Sequence, residues 1–373
     1  MASERSLDHL QTENVMLVGP NPSLAHQEGG VAAHMKSLAA CRIRERFRIS
    51  EFFTDASWVY RLPLPLLVKN VVSVVSLSIA IIATRKSFVA AHVNSSLYAS
   101  ALVRDVPVVL ALRARRIPIL IQYHGGRLSN VLMNPLARII WKSCIRDSVA
   151  LACCFPGEQL EEFDNAGMNG RHAAVLNFTD VPSSVSIDTG SMVRFLFLGR
   201  VVKEKGVHEM LEAFTTIHQS YGDSELHIVG DGPELKVMSD IVNANPALRT
   251  AVKFHGQLVG RKKEELLRRC NVLVLASYKE GMPLSALEAA AFGLAIIITP
   301  KSGFDHLLMP PDVAHIVPKD AHSLAKAMAD VCASTPARVR MGSRARNVVR
   351  ARCSLDSGSE QFERLYRSIA RLQ

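Results

Sequence analysis

The sequence is poor in aromatic residues, which make up 6% of its 373 positions and include two tryptophans. It holds no block of five or six consecutive like charges, which excludes a basic or acidic interaction tail. It lacks a paired cysteine framework. The seven cysteines (Cys41, Cys144, Cys153, Cys154, Cys270, Cys332 and Cys353) are odd in number, and their spacing fits neither a zinc site nor a C-x-x-C redox pair. They read as reduced thiols of a cytosolic protein, with Cys153-Cys154 in a buried strand. Glycine (21) and proline (17) make up about a tenth of the chain, which excludes a collagenous or low-complexity protein. The opening residues, MASERSLDHLQTEN, have no apolar core, so no secretory signal is expected.

What is present is ordinary for a folded chain: 48% apolar and 21% charged residues. The length suggests two domains, each able to bury a core without staples. The net charge is +10. A basic surface attracts nucleic acid, anionic membrane or phosphorylated substrates. No aromatic-basic module or zinc motif accompanies it, so nucleic acid is not an expected partner.

Short apolar runs alternate with helical stretches. Asn14–Gly19, Phe88–His92, Ile119–Tyr123 and Ser148–Cys154 read as strands of a parallel sheet covered on both faces. The polar, aperiodic stretch Asn177–Ser191 reads as a domain boundary. A second series follows at Val193–Leu198, Glu225–Val229, Val252–His255, Val272–Ala276 and Ala295–Thr299. Two such series predict two doubly wound α/β domains facing across a cleft, over residues 1–180 and 190–373. The last helix is a candidate for packing back on the first domain. Leu62–Ala83 is apolar for about 20 residues, the length a spanning helix needs. Lys69, Asn70 and three serines interrupt it, so a buried core helix is expected first, a membrane-surface helix second and a span last.

Three motifs follow strands of the second half. Phe197-Leu198-Gly199-Arg200 continues to Lys205-Gly206 and places two cations at the mouth of the sheet. Two cations there suit a diphosphate leaving group. Gly230-Asp231-Gly232-Pro233 reads as a structural turn. The segment Ser277–Ala289 carries Glu280 in a loop and Glu288 in a helix over Leu284–Phe292, with Pro283 in its first turn. That helix start presents backbone N–H groups to a phosphate. The two carboxylates would repel phosphate, so they read as acceptors for sugar and ribose hydroxyls. In the first half, Glu28-Gly29-Gly30 lets a ligand approach the backbone, and His124 follows the third strand named above. His92 reads as structural.

The ordered set Gly-Arg-x4-Lys-Gly, Val-Gly-Asp-Gly-Pro and Glu-x7-Glu resembles family 4 of the retaining glycosyltransferases (glycosyl transferases group 1), closely over Phe195–Pro300 and loosely before that. The resemblance implies the GT-B fold and a hexosyltransferase, with acceptor binding in the first domain and the donor in the second. It implies that Arg200 and Lys205 hold the diphosphate, that Glu288 binds ribose and that Glu280 and His124 contact the donor sugar. Gly29, Gly30, Gly199 and the amides of Gly281, Met282, Leu284 and Ser285 complete the implied donor site. Such enzymes act without a metal or other cofactor, in line with the lack of an Asp-x-Asp motif. The sequence departs from the family pattern at one loop: the usual Gly-Gly-x-Pro-Glu is replaced by Thr299–His306, with Asp305 or His306 at the glutamate position.

The expected reaction moves a sugar from a UDP- or GDP-sugar to a hydroxyl of a glycan or polyprenyl-linked lipid acceptor, in surface polysaccharide or glycolipid synthesis. An anionic membrane surface is a further expected partner, with the protein in the cytoplasm or peripheral on the inner membrane face. The alternatives are a non-catalytic nucleotide-sugar-binding subunit, or an epimerase or hydrolase on the same fold.

Overall fold

A computed structural model describes residues 13–21, 30–54, 64–146, 149–153, 158–168, 171–185, 190–278, 280–300, 307 and 313–370. The chain divides into two units. The first comprises Met1–Asn177 with Leu355–Gln373, and the second comprises Phe178–Ser354.

The first unit runs β1 (Asn14–Pro20), α1 (Gly30–Ala40), α2 (Ile43–Arg46), β2 (Arg48–Thr54), α3 (Leu64–Ala83), β3 (Ala90–Leu97) and α4 (Ala99–Ala114). It continues with β4 (Ile119–Gly126), α5 (Leu128–Met133), α6 (Pro135–Cys144), β5 (Val149–Cys153), α7 (Glu158–Asn165) and β6 (His172–Ala174). The second unit runs β7 (Val193–Leu198), α8 (Val207–Ser220), β8 (Ser224–Val229), α9 (Leu235–Ala244), α10 (Pro246–Ala251), β9 (Val252–Gly256) and α11 (Gly260–Arg269). Then come β10 (Val272–Leu275), α12 (Leu284–Ala291), β11 (Ala295–Ile298), β12 (His315–Ile316), α13 (Ala321–Ala333) and α14 (Thr335–Arg352). Helix α15 (Leu355–Ala370) returns to the first unit.

Among the described residues each unit has a six-stranded sheet, ordered β2-β1-β3-β4-β5-β6 and β12-β11-β10-β7-β8-β9. All pairings are parallel. Parallel strands need covered crossovers, which is why β10 and β11 are buried along their whole length. In the first unit Leu77, Ile81, Val109, Leu112, Trp141 and Phe163 belong to one core. Helix α15 packs on β3, β4 and α1, and buries Phe362 and Tyr366 completely.

The strand expected over Phe88–His92 begins instead at Ala90 and runs on to Leu97. Asn94 and Ser95 are buried within it, and their polar side chains hide it from an apolar pattern. Strands β2, β6 and β12 carry no strong apolar run. Pro283 precedes α12 rather than sitting in its first turn: with φ −66° and ψ 121° it is the cap residue. Helix α3 is not the buried core helix expected first. Val74, Leu77 and Ile81 are buried, but Val68, Val71, Val72, Val75, Ile79 and Ile82 are exposed.

Candidate active site

The adjacent parallel strands β7 and β10 end side by side, and the loops that leave them form one cluster within the second unit. Two glycines hold this cluster together. Gly206 has φ +65°, and a Cβ there would lie 2.0 Å from the Ala276 carbonyl oxygen. Gly230 has φ +136°, and its Cβ would lie 1.8 Å from the Gly199 oxygen. Only glycine permits both the conformation and the approach. The Tyr278 amide also donates to the Glu204 carbonyl at 2.9 Å. The loop after β7 is thereby fixed against the loop after β10.

This packing brings Lys205 to Glu280, 75 residues apart in sequence, as a half-buried ion pair. The Ser277 hydroxyl donates to the same Glu280 oxygen at 2.7 Å. The Thr299 hydroxyl in turn donates to the Ser277 carbonyl, which ties the end of β11 to the cluster. Glu288, on the second turn of α12, accepts from Lys263 of α11 at 2.8 Å. Each carboxylate therefore has a lysine partner. The ammonium of Lys205 has three N–H donors, so pairing with Glu280 leaves donors for a phosphate oxygen. Arg200 is exposed and follows β7 after Gly199.

Helix α12 starts at Leu284, and its geometry leaves the amides of Leu284 and Ser285 without an intrahelical acceptor. Those amides and the helix dipole favour an anion beside Lys205. Gly281 and Met282 precede the helix. The Gly199 amide donates to the Val229 carbonyl at 3.0 Å and so serves the sheet. The Gly230–Pro233 turn packs on the same loop, with Val201 donating to the Asp231 carbonyl at 2.9 Å.

His124 belongs to the first unit, at the carboxyl end of β4. Its Nε2 lies 2.8 Å from Asn94 Oδ1, and its ring is 4.6 Å from that of His34. His92 lies 2.8 Å from the Tyr366 hydroxyl and 3.0 Å from Gln122 Oε1. Burial lowers His34 and His92 to about 3 and holds His124 well below the ordinary histidine range. All three rings are neutral at pH 7, and this suits hydrogen bonding rather than charge. Gly30 opens α1, whereas Glu28, Gly29 and residues 301–306 lie outside the described residues.

Sequence reasoning missed Lys263, Ser277, Asn94 and His34. Ser277 lies in the motif after β10, where sequence alone gives it no role. Lys263 lies in the basic helix Gly260–Arg269, and only the fold singles it out from its neighbours. Burial pushes Cys270 and Cys353 up to about 12 and Cys332 to about 11, so these three thiols stay protonated at pH 7.

Residues 190–348 match the family model for glycosyl transferases group 1. Glycogen synthase of Mycobacterium tuberculosis is 26% identical over 249 residues, covering 65% of this chain and 58% of that relative's length. The chain thus spans little more than half of that curated relative. Among solved structures, sucrose-phosphate synthase from Thermosynechococcus elongatus is similar with a TM-score of 0.74 at 18% identity, over 97% of this chain and 100% of its own. Anabaena HepE in complex with UDP-glucose is similar with a TM-score of 0.71 at 15% identity, over 95% and 99%. These likenesses establish the GT-B fold, with two α/β Rossmann-like domains.

Proposed function

We propose that this chain is a retaining glycosyltransferase. It takes a sugar from a UDP- or GDP-sugar and moves it to a hydroxyl of a glycan or lipid-linked acceptor, in surface polysaccharide or glycolipid synthesis on the cytoplasmic side of a membrane. One observation carries the reading: Lys205 pairs with Glu280 at the carboxyl ends of β7 and β10, four residues before α12 begins. That is where an open parallel sheet binds ligands. The group 1 match over residues 190–348 supports it.

The chemistry follows from the charges. The diphosphate gains negative charge as the bond to the sugar breaks. Lys205, Arg200 and the Leu284 and Ser285 amides stabilise that charge, more in the transition state than in the bound donor. Glu288 accepts from ribose hydroxyls, with Lys263 donating to its Oε1. Glu280, anchored by Ser277 and Lys205, accepts from a donor-sugar hydroxyl. The acceptor hydroxyl attacks from the face the diphosphate leaves, and a leaving phosphate oxygen takes its proton. No metal has a part in this scheme, so chelation with EDTA leaves the rate unchanged.

The test is donor binding by thermal shift with UDP-, GDP- and ADP-sugars. One nucleotide class raises the melting temperature of the wild type and leaves Glu288→Ala unmoved. A folded wild type that no donor stabilises overturns the proposal.

A further inference from the structure

Helices α3, α4 and α6 pack side by side in the first unit, α4 touching both others. Their inner faces supply much of that unit's core, including Leu77, Val109 and Trp141. The outer face is also apolar. Along α3, Val68, Val72, Val75, Ile79 and Ile82 recur at three- and four-residue steps and are 48–60% exposed. Such spacing lays them in one stripe. Leu136 and Ile139 on α6 are 66% and 62% exposed. Soluble monomers rarely show contiguous apolar patches of this extent without an interaction to cover them.

The charges around the patch are one-sided. Helices α3, α5 and α6 contain no acidic residue. The single acid of α4, Asp105, is buried and bonded to Ser95 and Arg104. The cations are outside: Lys69 within the α3 face, Arg85 and Lys86 just beyond its end, and Arg138 and Lys142 on α6 are all exposed. Among the described residues no helix is long and apolar enough to cross a membrane. A helical layer whose helices expose aliphatics and cations but no acid among the described residues has the chemistry of a surface that lies in the headgroup region. A protein interface would instead favour aromatic anchors and deplete lysine.

We infer that the outer face of α3 and α6 docks on an anionic lipid surface, with the Val/Ile stripe entering the boundary between headgroups and acyl chains. Lys69, Arg138 and Lys142 meet the lipid phosphates. This docking stands beside the transferase reading and does not require it.

The full chain is floated with phosphatidylcholine vesicles, with and without phosphatidylglycerol. It rises with the anionic vesicles at low salt and is released at high salt. Val72→Ser with Ile79→Ser lowers the bound fraction roughly tenfold. Lys69→Gln with Lys142→Gln lowers it roughly 25-fold, about fivefold for each cation. All four side chains are exposed, and a thermal melt verifies that each variant is folded. A second measurement needs no variant: amide exchange of the wild type slows across Leu64–Ala83 and Pro135–Cys144 when anionic vesicles are added. Three results overturn the inference. One is failure to float at low salt, and another is protection confined to other segments. The third is a serine variant that still floats but loses a self-associated form on sizing, which would assign the stripe to a second copy. Donor-induced thermal shift, read separately without vesicles, tells failure of docking from failure of the transferase reading.

Discussion

At the scale of single residues, the proposed site is built on unequal pairs. Lys205 is held by Glu280, which leaves its other N–H donors to stabilise charge on a departing diphosphate. Lys205→Ala should therefore lower kcat about a hundred- to a thousandfold, as loss of one preorganised donor does elsewhere, with initial rates as the readout. Lys263 acts through Glu288. Lys263→Ala should raise the donor KM several-fold and change kcat little, because the ribose end of the donor does not react. Equal losses in kcat for both variants would contradict this division. Gly206 is a third case. Alanine there meets the Ala276 carbonyl and must hold φ +65°, so Gly206→Ala should cost at least about 2 kcal/mol, measured by denaturant unfolding.

At the scale of elements, α15 is the last helix in sequence but belongs to the first unit. Its anchors are Phe362, Tyr366 and Ile369, all buried, together with Gln361, which bonds the Leu176 backbone on both its amide and its carbonyl. Glu363 adds ion pairs with Arg46 and Arg367. Phe362→Ala should destabilise the first unit by about 3–5 kcal/mol, the usual cost of emptying a buried aromatic site. Tyr366→Phe keeps the ring but removes the hydroxyl that bonds His92, and about 1 kcal/mol is expected. A calorimetric scan of the full chain separates the two: the larger shift must belong to the alanine variant.

At the scale of the whole molecule, the buried histidines give the stability a direction with pH. His34 and His92 titrate near 3 when folded and near 6.5 when unfolded. Between those values the unfolded chain binds more protons, so stability falls as pH drops from about 6.5 towards 3. Each ring contributes up to about 1.4 kcal/mol per pH unit in that window. The melting temperature should therefore drop between pH 7 and pH 5, and His92→Gln should show a shallower slope. Equal slopes would place the acid sensitivity elsewhere.

The sequence by itself determined the α/β alternation, since buried parallel strands must be short and apolar and the helices between them amphipathic. Val193–Leu198 matches an observed strand residue for residue. It also determined which residue types stand after which strand: Arg200 and Lys205 after one, Glu280 and Glu288 after another. Local pattern failed where burial was polar, as in β3, or where a strand lies at a sheet edge, as in β2. Only the tertiary structure decided which partners meet. Lys263 reaches Glu288 because α11 and α12 flank β10, and Tyr366 reaches His92 across 274 positions because the chain returns. It likewise decided which side of α3 faces water. The helix is apolar nearly all round, so its composition allows either side in the core, and packing against α4 and β2 turns Val74, Leu77 and Ile81 inward.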